Sequence, residues 1–138
     1  MLRTLWCKIP PERQRLIVAM AVLACVVYLL DYFGNVAELY QPTYFFGYDK
    51  VVHFMAGAFC GTFGLWLFQP SGATKEWRYA FMTVALFAFW IGLGWEVYEV
   101  ICNQPDLSSL LYWGDTVGDM ITDVLGGIVA GLVFREKR

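Results

Sequence analysis

Charge is the first thing this sequence has little of. Only 16% of its 138 residues are Asp, Glu, Lys or Arg, where soluble domains usually carry about a quarter. A soluble domain of this size exposes a large polar surface, and with 59% hydrophobic and 18% aromatic residues the chain has little to build one from. Histidine is scarcer still, a single residue at position 53. The four cysteines, Cys7, Cys25, Cys60 and Cys102, show no CxxC spacing, which argues against a disulfide framework or a zinc finger. Cys25 and Cys60 lie in apolar runs, where a thiol is a small hydrophobe. No solenoid-length repeat or low-complexity tract is present, and no small-x-small site follows the first apolar run, so no cleaved signal peptide is expected. These absences exclude soluble and disordered classes and give no footing to nucleic-acid binding.

Long apolar runs take the place of charge. A helix needs roughly twenty apolar residues to cross a bilayer core, and four stretches meet or approach this, at about 16–33, 49–68, 79–101 and 115–134. Their Ala, Gly, Leu, Val and Phe mixture is that of packed transmembrane helices, without the alternation of barrel strands. The expected fold is all-α: a single transmembrane domain over 1–138, a four-helix bundle with a short interfacial segment on the outer side. Asn103-Gln104-Pro105-Asp106 breaks the chain before the last span, and Asp106 is placed to cap a short helix through Leu107 to Trp113. The stretch from Gly34 to Tyr48 is too short to span, and Tyr40, Tyr44, Phe45, Phe46 and Tyr48 suit the headgroup zone.

The charges sort by side. Arg3, Lys8, Arg13 and Arg15 precede the first span, Lys75 and Arg78 join the second to the third, and Arg135, Lys137 and Arg138 follow the fourth. Only Lys50 falls at the other end. The positive-inside rule then makes both termini cytoplasmic in a multi-pass protein of a bacterial inner membrane. Asp31, Glu38, Asp49, Glu96, Glu99, Asp106, Asp115, Asp119 and Asp123 map to the outer half.

Three spans repeat one design, carboxylates above and glycines beneath. In the second, Asp49 and His53 share a helix face with Gly57, Gly61 and Gly64 below. In the third, Gly92, Glu96, Glu99 and Asn103 follow at spacings of four, three and four. In the fourth, Asp115, Asp119, Asp123, Gly127 and Gly131 stand at strict spacings of four. Gly57, Gly61, Gly127 and Gly131 are expected at helix contacts, since small residues allow close approach. Asp49 and Asp115 begin their spans and serve equally well as N-caps. Lys50 can snorkel or neutralise an acid, and Trp66, Trp77, Trp95 and Trp113 suit interface anchors.

Capping does not account for Glu96 and Glu99, near a helix C-terminus where the dipole disfavours anions, or for Asp119 and Asp123 inside their span. Each ionised carboxylate in the membrane costs from about 2.5 kcal/mol upward. So many in one cavity need protons or a cation. An oxygen-rich shell with one imidazole suits Mn, Mg, Zn or Fe. The expected ligands are Asp49, His53, Glu96, Glu99, Asp119 and Asp123, supported by Lys50 and Asp115. Glu96, Glu99 or Asp119 would act as general base.

At these residues the chain resembles the VanZ-like membrane proteins, and most closely their acidic relatives, the YjdF-like inner-membrane family. The resemblance rests on Asp49-Lys50-Val51-Val52-His53-Phe54, on Trp95-Glu96-x-x-Glu99, and on Gly114-Asp115-Thr116-x-x-Asp119-x-x-x-Asp123-x-x-Gly126-Gly127. It covers the last three spans, about two-thirds of the chain. The VanZ-like pattern is Asp-Lys-x-x-His, Glu-x-x-Gln and Asp-x-x-x-Asn-x-x-Gly. Here Glu99 replaces the glutamine and Asp123 the asparagine, and the arginine that often follows is missing, which makes the site more acidic. The resemblance implies a bacterial membrane protein linked, in the family's named member, to resistance against a lipoglycopeptide.

Three functions fit this reading. One is a metal-dependent hydrolase acting on a lipid or lipid-linked envelope substrate. The second is a non-catalytic membrane protein that binds a lipid, a lipophilic antibiotic or a protein partner around a structural cation. The third is a proton or cation transporter, which the absence of ionisable residues from the inner halves of the spans disfavours.

Overall fold

The computed structural model describes residues 7–40, 47–68, 77–103 and 105–134. Four helices account for most of them: α1 Pro11–Val36, α2 Tyr48–Phe68, α3 Trp77–Asn103 and α4 Leu110–Phe134. Each is long and apolar enough to cross a membrane, and among the described residues there is no strand. The fold is an all-α four-helix membrane bundle. Each helix extends beyond its purely apolar run because helical hydrogen bonding continues into the polar flanks.

Local chemistry sets the ends. Pro11 opens α1, where its missing N–H costs nothing, and Glu12 sits in the first turn. The other end of α1 closes on a Schellman pattern, with the Leu39 N–H donating to Gly34 O at 2.9 Å and the Glu38 N–H to Asn35 O at 3.4 Å. The reversal puts Glu38 at φ 52°, in the left-handed region usually given to glycine. Tyr40 returns over this end and donates to Asp31 Oδ1 at 2.9 Å. Burial, then the Asp31 carboxylate, push its phenol above the usual tyrosine range. Tyr44, Phe45 and Phe46 lie outside the described residues.

The expected separate helix over 107–113 is not formed. Asp106 does cap a turn, accepting from the Ser108 N–H at 3.0 Å and the Ser108 hydroxyl at 2.6 Å, and these bonds hold its carboxyl below the ordinary value. The helix that follows begins at Leu110 and runs on without interruption. Nothing between Trp113 and Asp115 breaks it, so the predicted interfacial turn becomes the first turn of α4.

In the packing, α2 is central: it meets α4 most extensively, then α1 and α3, and α4 also meets α3. Glycines set the spacing. A methyl group on Gly57 would overlap the backbone of Asp123, one on Gly126 would overlap Phe54 O, and one on Gly61 would lie 2.7 Å from the Cα of Gly127. Gly127 also accepts Ala88 and Val84 of α3, Gly131 faces Val84, and Gly64 faces Phe87. Away from the acids, Leu16, Leu65, Ala80 and Val84 form a buried cluster with Trp66 and Phe134 against it. Trp66 therefore packs inward, stacked on Phe63 at 5.9 Å, whereas Trp95 and Trp113 are half-exposed.

Candidate metal centre

The site sits one to two turns above the closest approach of α2 and α4. Gly57 brings the Asp123 backbone against α2, so His53, one turn higher, reaches the Asp123 side chain. His53 Nδ1 lies 3.2 Å from Asp123 Oδ2. Its other nitrogen, Nε2, faces Asp49 Oδ1 at 3.7 Å and Asp119 Oδ1 at 3.8 Å. The Lys50 Nζ is 2.5 Å from Asp115 Oδ1, 2.7 Å from Asp119 Oδ1 and 3.7 Å from Asp49 Oδ2. The three aspartates of α4 thus form a ladder along Lys50 and His53 of α2, and Asp119 is the shared rung.

Burial is deep for such groups. Lys50, His53, Glu96, Asp119 and Asp123 are all buried, while Asp49 and Asp115 are partly exposed at the mouth. Asp115 is not at a helix start. It lies five residues into α4 and holds Lys50, so the N-cap reading of it fails because α4 begins at Leu110. Asp49 is the second residue of α2, which begins at Tyr48, so it is not the N-cap either, though it stands in the first turn. Lys50 is buried too, so the snorkelling reading gives way to the ion-pairing one.

The third helix supplies the far wall. Gly92 makes room for the Asp123 carboxyl, since a methyl there would overlap its Oδ2. Glu96 is buried beside the Thr116 hydroxyl, within electrostatic reach of His53 and Asp123, and its Oε1 has no hydrogen-bond partner. Glu99 is only half-buried. Asp119 Oδ1 also lacks an aligned hydrogen bond, so its 2.7 Å contact with Lys50 is an ion pair without hydrogen-bond geometry.

Of the six carboxylate and imidazole ligands expected, the structure gathers three around one point. One ligand atom each from Asp49, His53 and Asp119 lies within 4.8 Å of the others, a group that can hold a metal ion. Asp123 instead meets the remaining imidazole nitrogen, and Glu96 and Glu99 stand outside this group. Sequence reasoning assigned no role to Thr116 or Gly126 beyond their places in one motif. The signal for Gly126 was present, as the neighbour of Gly127 in a glycine-rich stretch. Thr116, one turn from Asp119, carried only that motif position.

Residues 9–137 match the family described as "Predicted membrane protein (DUF2238)". The chain belongs to that family. No curated protein and no solved structure matches it. The family match spans all four helices, so the acidic ladder and the glycine contacts lie within a single family unit.

Proposed function

We propose that the chain holds a divalent cation with Asp49, His53 and Asp119, and that the site hydrolyses a lipid or lipid-linked envelope substrate at the outer face of a bacterial inner membrane. The arrangement of His53 carries this reading. A histidine that ligates a metal almost always gives its other ring N–H to a carboxylate or carbonyl. Here Asp123 receives Nδ1, which leaves Nε2 turned to two further carboxylates. The donor set of oxygens and one imidazole fits Mn, Mg, Zn or Fe. When bound, such an ion polarises a phosphoryl or acyl oxygen and activates water.

The remaining residues take distinct roles in this reading. Glu96 Oε1, buried and unpartnered, is the acceptor for a proton from attacking water, with Thr116 orienting its carboxyl. Glu99, nearer the surface, faces the incoming substrate. Membrane lipid surrounds all four helices and would deliver the substrate laterally. Nine of the ten Lys and Arg residues precede the first span, join the second to the third or follow the fourth in the sequence, which supports cytoplasmic termini. The VanZ-like and YjdF-like motif likeness agrees with this placement.

A second reading draws on Lys50. Its ammonium already pairs with Asp115 and Asp119, so the ladder would serve as an ionic lock in a non-catalytic protein that binds a lipid, a lipophilic antibiotic or a partner. Transport is disfavoured. No Asp, Glu, Lys, Arg or His lies in α2 beyond His53, in α4 beyond Asp123, or in α3 between Arg78 and Glu96.

Metal analysis of the full chain, purified in detergent without chelator, decides between a cation site and a metal-free ionic lock. The hydrolase reading expects a stoichiometric divalent ion in the wild type, lost in His53→Ala and Asp119→Asn. Wild-type protein that holds no metal and takes up neither Mn²⁺ nor Zn²⁺ on titration would leave the ionic lock.

A further inference from the structure

Lys50 and the cation group draw on the same atom. Asp119 Oδ1 is 2.7 Å from the ammonium and 3.8 Å from His53 Nε2. We infer that Lys50 is a tethered competitor for the cation site: its ammonium holds Asp119 while the site is empty and retreats onto Asp115 when a divalent ion enters. This rests on the cation reading above and adds a regulating residue to it.

Three observations support the exchange. First, the Asp119 oxygen is buried yet has no aligned hydrogen bond, so the ammonium occupies it without saturating it. Glu96 Oε1, buried on the facing helix, is likewise unpartnered. The pocket thus holds more acceptor capacity than its own donors fill, as expected of a site built for an added cation. Second, the ammonium has somewhere to go. Asp115 already holds it through Oδ1 at 2.5 Å and through the backbone carbonyl at 3.3 Å. The Asp115 side chain is 26% exposed where that of Asp119 is 5%, so water can complete the solvation of a charge moved there.

Third, the charges balance once an ion is bound. Without one, the single ammonium of Lys50 faces three carboxylates, Asp49, Asp115 and Asp119. With one, two further positive charges face Asp49 and Asp119 while Lys50 remains paired with Asp115, so each of these three carboxylates has a cationic partner, as a buried ionic network requires. The flexible four-carbon stem of lysine permits the move, whereas a planar guanidinium would clamp both carboxylates at once.

Two measurements test the inference on the full chain in detergent. In calorimetric titrations with Mn²⁺ and with Zn²⁺, Lys50→Met should bind at least about tenfold more tightly than wild type, because a positive charge beside a ligand oxygen is gone. Equal or weaker binding by the variant would mean that Lys50 supports the ion instead of competing with it. The second measurement needs no variant. Modification of Lys50 by an amine-selective reagent, followed by mass spectrometry, should quicken severalfold when Mn²⁺ is added, since the ammonium moves toward the exposed mouth. Unchanged labelling at saturating Mn²⁺ would overturn the exchange and leave the cation site standing. Absence of binding by both wild type and Lys50→Met would overturn the cation reading itself.

Discussion

The interface between α2 and α4 has two halves held by opposite means. In one, Lys50 and His53 meet Asp115, Asp119 and Asp123 through polar contacts of 2.5 to 3.8 Å. In the other, Gly57, Gly61, Gly126 and Gly127 let backbone touch backbone. The glycine half has no adaptable side chain where the helices meet, so it fixes how far apart they stand. The acidic half is made of side chains that can turn about their own bonds, and it takes its geometry from that spacing. His53 reaches Asp123 because Gly57 has already brought the Asp123 backbone against α2. A rigid, chemically inert surface thus positions a reactive one.

Breaking the glycine half should cost most. Gly57→Leu or Gly126→Leu forces a side chain into the neighbouring backbone, which cannot turn aside as a side chain would. A destabilisation beyond about 4 kcal/mol is expected, seen as failure to recover folded protein in detergent. Any protein that does fold should have His53 too far from Asp123 to pair with it. Thermal stability like that of wild type would show that spacing is set elsewhere.

Breaking the acidic half alone should cost less. Asp119→Leu removes the shared rung, but Asp115 still holds Lys50 and Asp123 still faces His53. The expected destabilisation is about 3 kcal/mol, the low end for disrupting a buried ion pair. Thermal unfolding should remain cooperative, because the glycine packing is untouched. Collapse of the whole fold would mean that the charges, and not the glycines, set the helix spacing.

The smallest effect sharpens the comparison by reversing its sign. Gly94 has nothing within 4 Å of the position a β-carbon would take. Gly94→Ala should therefore stabilise α3 by about 0.5–1 kcal/mol through helix propensity alone, read as a modest rise in melting temperature. A fall in melting temperature would reveal a packing partner for this face of α3.

The bundle was legible because its signals are local. Apolar runs of near twenty residues, punctuated by Pro and charged flanks, mark four helices without reference to any neighbour. Spacings of four placed Asp115, Asp119 and Asp123 on one face, and glycines beneath carboxylates marked where helices approach. Where a helix begins was less legible. Gly114 and Asp115 read as a start, but α4 begins at Leu110 because the turn capped by Asp106 already commits the chain to it.

What the sequence determined by itself, then, is the number of helices, their apolar character and which residues share a face. The tertiary structure alone decided that Lys50 stands within the carboxylates, that Asp123 takes the Nδ1 side of His53, and that Glu96 lies outside the Asp49, His53 and Asp119 group. The division has a physical cause. Periodicity along a helix follows from backbone geometry, whereas partners across helices depend on axial offset and rotation. Those are set by close approaches such as Gly57 on Asp123 and Gly126 on Phe54, between residues more than sixty positions apart.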